Sequence, residues 1–325
     1  MSVLMSGGMR RSVACLPCLC VVLWLLCGGV ARATLVYVQP VGTETGPLPP
    51  HRGEILAAAD DGSRPRALAR GFAPVISPNG RMIAFLRYQG DRADLWTMGV
   101  GGRHQRRLLR GLYIADKQAY RPYAWSFDSR RLAVSTGTSV GIVTVGDRRE
   151  VDFSVDARDP SFSPDGRHLG ASFGGPPGSS VELLDPRKPK KFIDLGAGGV
   201  QLWGKPGIAF VRGSTIIFVR RPRARARERV LLDERRSGAD LTVAAWSQGG
   251  STLLTGIYNS AIIPLLIDPF RGTVRRLPQG LSRLYRVSRD GHTVLGQLGS
   301  DVVIERTDGT VKILARNADS ATWTA

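Results

Sequence analysis

The stretch PSFSPDGRHLGASF, residues 160–173, sets a Ser-Pro-Asp-Gly turn in front of a short apolar run. A near copy, PVISPNGRMIAFLR, stands at residues 74–87. Proline presets φ at the second position of a tight turn, and glycine or asparagine accepts the awkward dihedral that follows. Weaker copies are WSFDSRRLAVS (125–135), WGKPGIAFV (203–211), WSQGGSTLLTG (246–256) and SRDGHTVLG (288–296), and ATWTA (321–325) ends the chain where another would begin. Taking residues 77, 126, 163, 204, 247, 288 and 324 as equivalent, the gaps are 49, 37, 41, 43, 41 and 36. A period near 40 with short strands and turn punctuation is the mark of four-stranded propeller blades.

One copy shows why. APVI makes a short inner strand, and RMIAFLRY a second strand that alternates poorly because neighbouring blades bury both its faces. DLWTMGV is the third strand, and HQRRLL the charged outer one, as an exposed edge requires. TLVYVQ, residues 34–39, aligns with a second strand, and its missing inner neighbour is SATWT at the C-terminus. The expectation is an all-β, seven-bladed β-propeller over residues 34–325, closed by pairing of its N- and C-terminal strands. Setting the degenerate copy at 204 aside would leave six blades.

Residues 1–33 read as a signal peptide. Arg10 and Arg11 precede an apolar stretch from Val13 to Val30, and Ala31-Arg32-Ala33 supplies a small-x-small site, so cleavage is expected after Ala33. An uncleaved membrane anchor is the alternative. All four cysteines, Cys15, Cys18, Cys20 and Cys27, lie in this leader, so the remainder can form neither a disulfide nor a thiolate metal site. The chain carries 45 basic and 27 acidic residues, a formal net charge of +18. Such a field gathers anions, and export turns the expectation from nucleic acid to anionic lipid or wall polymer.

The segments SPNGRMIAFLRYQGDRADLWTM (77–98) and SPDGRHLGASF (163–173) resemble the propeller of the periplasmic TolB family and its WD-repeat-like relatives. The resemblance implies an exported propeller in the periplasm or outside the cell. Similar blades serve binding proteins and the lid domains of prolyl-oligopeptidase-type peptidases. Here the leader is expected to run directly into the first blade, without the domain that TolB sets before its propeller.

Chemistry-bearing candidates reduce mostly to turns. GTSVG, residues 137–141, matches a nucleophile elbow around Ser139, but it lies between two strands where that elbow needs a strand and then a helix. Of the four histidines, His51, His104, His168 and His292, the last two follow equivalent turns of different blades, and none has metal-site spacing; the Asp-Gly pairs at Asp165, Asp290 and Asp308 are spread one per turn. No catalytic residue, cofactor or metal is therefore expected. In a four-stranded blade the first and third turns emerge at one end. The richest of them is RRPRARARER, with Arg220, Arg221, Arg223, Arg225, Arg227 and Arg229 as candidate contacts to an anionic surface. The opposite end gathers Tyr88, Tyr113, Tyr120, Tyr258 and Tyr285, with Asp116 and Lys117 in the long loop 111–122. Tyr113, Asp116, Tyr120 and Tyr258 are the candidate contacts for an envelope protein or peptide segment, since tyrosine is enriched at interfaces. The first functional reading is a monomeric, non-catalytic scaffold at the cell envelope. The second is electrostatic binding through the basic face, and the third a propeller-type hydrolase or lyase.

Overall fold

The computed structural model describes residues 34–41, 53–90, 92–112, 122–136, 139–146, 150–155, 157–174 and 179–324. Residues 1–33, read from sequence as a signal peptide, lie outside them. Seven four-stranded antiparallel sheets form. Blade 1 holds β4 (Phe72–Ile76), β5 (Met82–Gln89), β6 (Arg92–Gly99) and β7 (Arg106–Leu112). Blade 2 holds β8 (Tyr123–Trp125), β9 (Arg131–Ser135), β10 (Ser139–Thr144) and β11 (Glu150–Val155). Blade 3 holds β12 (Ala157–Phe162), β13 (Leu169–Phe173), β14 (Ser180–Asp185) and β15 (Lys188–Ala197). Blade 4 holds β16 (Gly199–Gly204), β17 (Gly207–Arg212), β18 (Thr215–Val219) and β19 (Arg229–Asp233). Blade 5 holds β20 (Asp240–Trp246), β21 (Leu253–Asn259), β22 (Ala261–Ile267) and β23 (Val274–Arg276). Blade 6 holds β24 (Arg283–Val287), β25 (Thr293–Leu298), β26 (Asp301–Arg306) and β27 (Val311–Ala315). Blade 7 takes β28 (Asp319–Trp323) as its first strand, followed by β1 (Thr34–Pro40), β2 (Gly53–Ala59) and β3 (Arg66–Arg70).

First strands meet around the axis. β28 touches β4, β12 lies between β8 and β16, β16 touches β20, and β24 lies between β20 and β28. Tyr123 and Trp125 of β8 complete the circle by bonding carbonyls of β4. Among the described residues each interface between neighbouring blades carries its own apolar cluster. The second and third strands supply most of it, so β5 is buried on both faces at Ile83, Ala84, Phe85 and Leu86. The copy at 204 is a true blade, which settles the count at seven. Its turn lacks serine, and a side chain at Gly204 would collide with the Trp246 ring.

The recurring serine has a structural task. Ser77, Ser126, Ser163, Ser247 and Ser288 each accept, through Oγ, the backbone N–H five residues on, at 2.9–3.0 Å. Ser163 Oγ also donates to Asp165 Oδ1 at 2.7 Å. Gly80, Gly166, Gly250 and Gly291 take the left-handed dihedral, and Ser129 takes it in the copy without glycine. Ser163 is 2% exposed, so Ser163→Ala strands the His168 N–H without water. A loss of about 1–3 kcal/mol is expected, read as a lower urea midpoint at unchanged slope. An unchanged midpoint would remove serine from the turn's energetics.

Closure is direct. Leu35 pairs with Trp323, Val36 with Thr322 and Val38 with Asp319. Thr34 N–H donates to Thr324 Oγ1 at 2.8 Å, and Thr324 N–H donates back to the Thr34 carbonyl at 3.1 Å. Arginines add staples between blades. Arg212 at the end of β17 stacks on Phe210, its guanidinium 5.3 Å from the ring centroid, and donates to the carbonyls of Ala197 and Leu195 in β15. Arg87 at the same place in blade 1 stacks on Trp96 at 4.3 Å and donates to Arg70 O of β3.

Candidate functional site

The meander within each sheet puts first and third turns at one end of the ring, as the pattern requires. The arginine run is the third turn of blade 4, between β18 and β19. All six arginines are exposed. The turn is shaped by Ala226 N–H donating to the Arg223 carbonyl at 3.1 Å and by a left-handed Arg225.

Beside it the next blade's third turn carries Pro269 and Phe270. Between the two lies a cleft of about 800 Å³ lined by Phe218, Pro269, Phe270, five of the arginines and Glu228. Its floor is aromatic: Phe270 meets Phe218 edge-on at 6.4 Å, and Phe218 packs on Trp246 at 5.9 Å. Arg229 Nη1 reaches across to donate to the carbonyls of Pro269 at 2.7 Å and Phe270 at 2.9 Å, tying the two walls together. The cleft's carboxylate, Glu228, is held bidentately by Arg212 at 2.7 and 2.8 Å. Among the described residues none of the six arginines has a carboxylate partner, so their charge faces solvent. Such a lining can hold anions. It offers no nucleophile and no unpaired base.

Other turns at this end are basic too, but their aspartates offset them. Asp128, Asp165, Asp268 and Asp290 each accept turn N–H groups. Such bonds stabilise the ionised form. At Asp165 burial opposes ionisation, while the Ser163 hydroxyl and the Arg167 N–H outweigh it, leaving the pKa below the ordinary carboxylate value. The blade 4 turn carries six arginines in ten residues and no aspartate of this kind.

At the opposite end, Tyr113, Asp116 and Tyr120 lie outside the described residues. Gly111 and Leu112, assigned by sequence to the long loop, instead finish β7. Tyr258 is half-buried near the end of β21, opposite Asp240 and Ile262. Tyr88 stacks flat on Phe72, centroids 4.2 Å apart, and burial raises its phenol pKa. It caps its blade. Ser139 begins β10 in a hairpin with β9, its Oγ 2.7 Å from Thr136 Oγ1, so no strand-to-helix elbow forms. His168 and His292 sit in turns, and no cluster that could hold a metal occurs among the described residues.

Tyr285 belongs to a network that sequence reasoning missed. Arg283 Nη1 donates to both oxygens of Asp319 at 2.6 and 2.7 Å, joining β24 to β28. Tyr285 Oη lies 2.9 Å from Asp319 Oδ1 and 2.8 Å from Gln297 Oε1, and it accepts the Ser320 N–H at 3.0 Å. Desolvation, then the Asp319 charge, lifts the Tyr285 pKa well above the ordinary phenol value. Desolvation works against the Arg283 charge, but Asp319 outweighs it and raises that pKa. The bonds of Arg283 and Tyr285 to Asp319, and of Ser320 N–H to Tyr285, join blades 6 and 7, so the network locks the ring.

No family model and no curated protein matches the chain. Among solved structures it is similar to TolB from Acinetobacter baumannii, with a TM-score of 0.56 and 13% identity over 90% of this chain and 66% of that one. It is similar to an oligogalacturonate lyase from Vibrio parahaemolyticus, with a TM-score of 0.59 and 10% identity over 88% of this chain and 87% of that one. A Pyrococcus horikoshii acylaminoacyl peptidase gives 0.54 and 14% over 87% of this chain and 53% of that one. Binding and catalytic proteins thus share these blades, and at such identities the likeness establishes the seven-bladed propeller fold.

Proposed function

We propose that this chain is an exported, non-catalytic binding module of the cell envelope that captures an anionic partner in the arginine cleft between blades 4 and 5. The observation that carries the reading is the cleft itself: exposed arginines without carboxylate partners above an aromatic floor, with the local glutamate already engaged. Guanidinium groups bind carboxylate or phosphate oxygens in pairs and stack on rings. The leader sequence supports an envelope location. The other binding reading, a partner segment held by Tyr113, Asp116, Tyr120 and Tyr258, keeps one member among the described residues.

The test is binding of inorganic polyphosphate to the full chain across a salt series. Affinity should fall steeply as salt rises. The triple change Arg221→Ser, Arg223→Ser, Arg227→Ser, all at cleft-lining positions, should weaken it on the order of 100-fold, at about 1 kcal/mol for each charge. Salt-independent binding, or binding indifferent to the three changes, contradicts the reading.

A further inference from the structure

Phe270 is 48% exposed at the tip of the β22–β23 turn, within this positive field. The turn is rigid. Asp268 Oδ1 accepts the N–H groups of Phe270 and Arg271 at 2.8 and 2.9 Å, Gly272 N–H donates to the Asp268 carbonyl at 2.8 Å, and Arg229 holds the carbonyls of Pro269 and Phe270. The Arg220 guanidinium lies 5.5 Å from the Phe270 ring centroid. Arg271 points outward with its side chain 84% exposed, and Val274, Arg275 and Arg276 of β23 continue the exposed surface. A soluble polyanion gains nothing from a preorganised, exposed benzyl ring. A bilayer surface does, because the zone beside the phosphates accepts aromatic rings while the phosphates take the arginines.

We infer that the rim of blades 4 and 5 docks on an anionic phospholipid membrane, with the arginines of the 220–229 turn at lipid phosphates and the Phe270 ring set at headgroup depth. The inference rests on the anion-binding reading above and specifies its partner. Its chemistry is charge complementarity joined to partial burial of one ring, so binding is reversible and sensitive to both lipid charge and salt. The stacked Arg220 stays paired with the ring when both enter the interface, keeping a cation next to the phosphates where the ring inserts.

The experiment uses the full chain in three arms: phosphatidylcholine vesicles, the same vesicles with roughly a third phosphatidylglycerol, and inorganic polyphosphate. The expected result is sedimentation with the anionic vesicles and little with the neutral ones. The triple arginine change should lower vesicle affinity on the order of 100-fold. Phe270→Ala should lower vesicle affinity about tenfold and polyphosphate affinity by clearly less than that, because only the bilayer gives the ring an apolar zone to enter, and Phe270→Leu should keep most vesicle binding. A thermal melt of each variant guards against loss of the Phe218 contact as the cause. Polyphosphate binding without vesicle binding overturns the membrane inference and leaves the anion reading standing. Absence of both overturns both. Equal binding to neutral vesicles, or full vesicle binding by a folded Phe270→Ala chain, also overturns the membrane inference.

Discussion

Ending the chain at Ala318 is expected to abolish cooperative folding. The cut removes β28, the inner strand of blade 7, and with it the pairs Leu35–Trp323, Val36–Thr322 and Val38–Asp319. β1 then becomes an open edge, although Leu35, Val36 and Val38 are wholly buried in the closed ring. Exposed apolar edges pair with other chains. The lost contacts also serve both flanking interfaces, since Ala321 and Trp323 pack with blade 6 while β28 touches β4 of blade 1. The cost is on the order of the whole net stability of a domain, about 5–15 kcal/mol. Circular dichroism should show no cooperative melt, and light scattering should show association. A truncated chain that melts within a few degrees of the intact one would mean the last strand contributes little.

The second large effect is expected from Asp319→Ala. Asp319 is 7% exposed and receives Arg283 through two short bonds. Removing it leaves a guanidinium held between blades without its countercharge, and Tyr285 loses a partner. Breaking a buried pair from one side costs about 3–5 kcal/mol, which corresponds to a drop in Tm of roughly 6–20 °C for a domain of this size. The double change Arg283→Met, Asp319→Leu should recover much of the loss, because the apolar pair carries no desolvation penalty. Polyphosphate binding should be unaffected by the double change, since the cleft lies on blades 4 and 5. A single change costing under about 1 kcal/mol would show that the pair is solvated.

The fold was legible because its information is local. Five of the turns write serine, a turn former and a left-handed residue in a fixed order, and the burial of Ser77, Ser126 and Ser163 explains why the order recurs. The weak copy at 204 is weak for a packing reason: the Trp246 ring occupies the place of a side chain there. Other features depend on contacts between blades, which no short window reveals. Arg283 and Asp319 stand 36 residues apart, yet each lies five residues before its turn, at Ser288 and Thr324. Matching charges at equivalent repeat positions of adjacent blades was the available signal. The arginine run was visible in the sequence, whereas its aromatic floor was not, because Phe218 and Phe270 come from neighbouring blades and meet only when the ring forms. Tyr285 groups by sequence with the tyrosines of the opposite end, and what no window shows is that its hydroxyl is tied to the closing strand.

Ring closure is the claim on which the placement of every other feature depends, and a cysteine pair tests it directly. The native cysteines all precede residue 34, and Val36 and Thr322 are direct cross-strand partners, at a Cα spacing near 5.5 Å that suits a disulfide. Val36→Cys, Thr322→Cys, oxidised in the folded state and digested, should yield a linked peptide joining residues 36 and 322 within one chain. Free thiols in a folded protein, or links found only between chains, would contradict the closed ring.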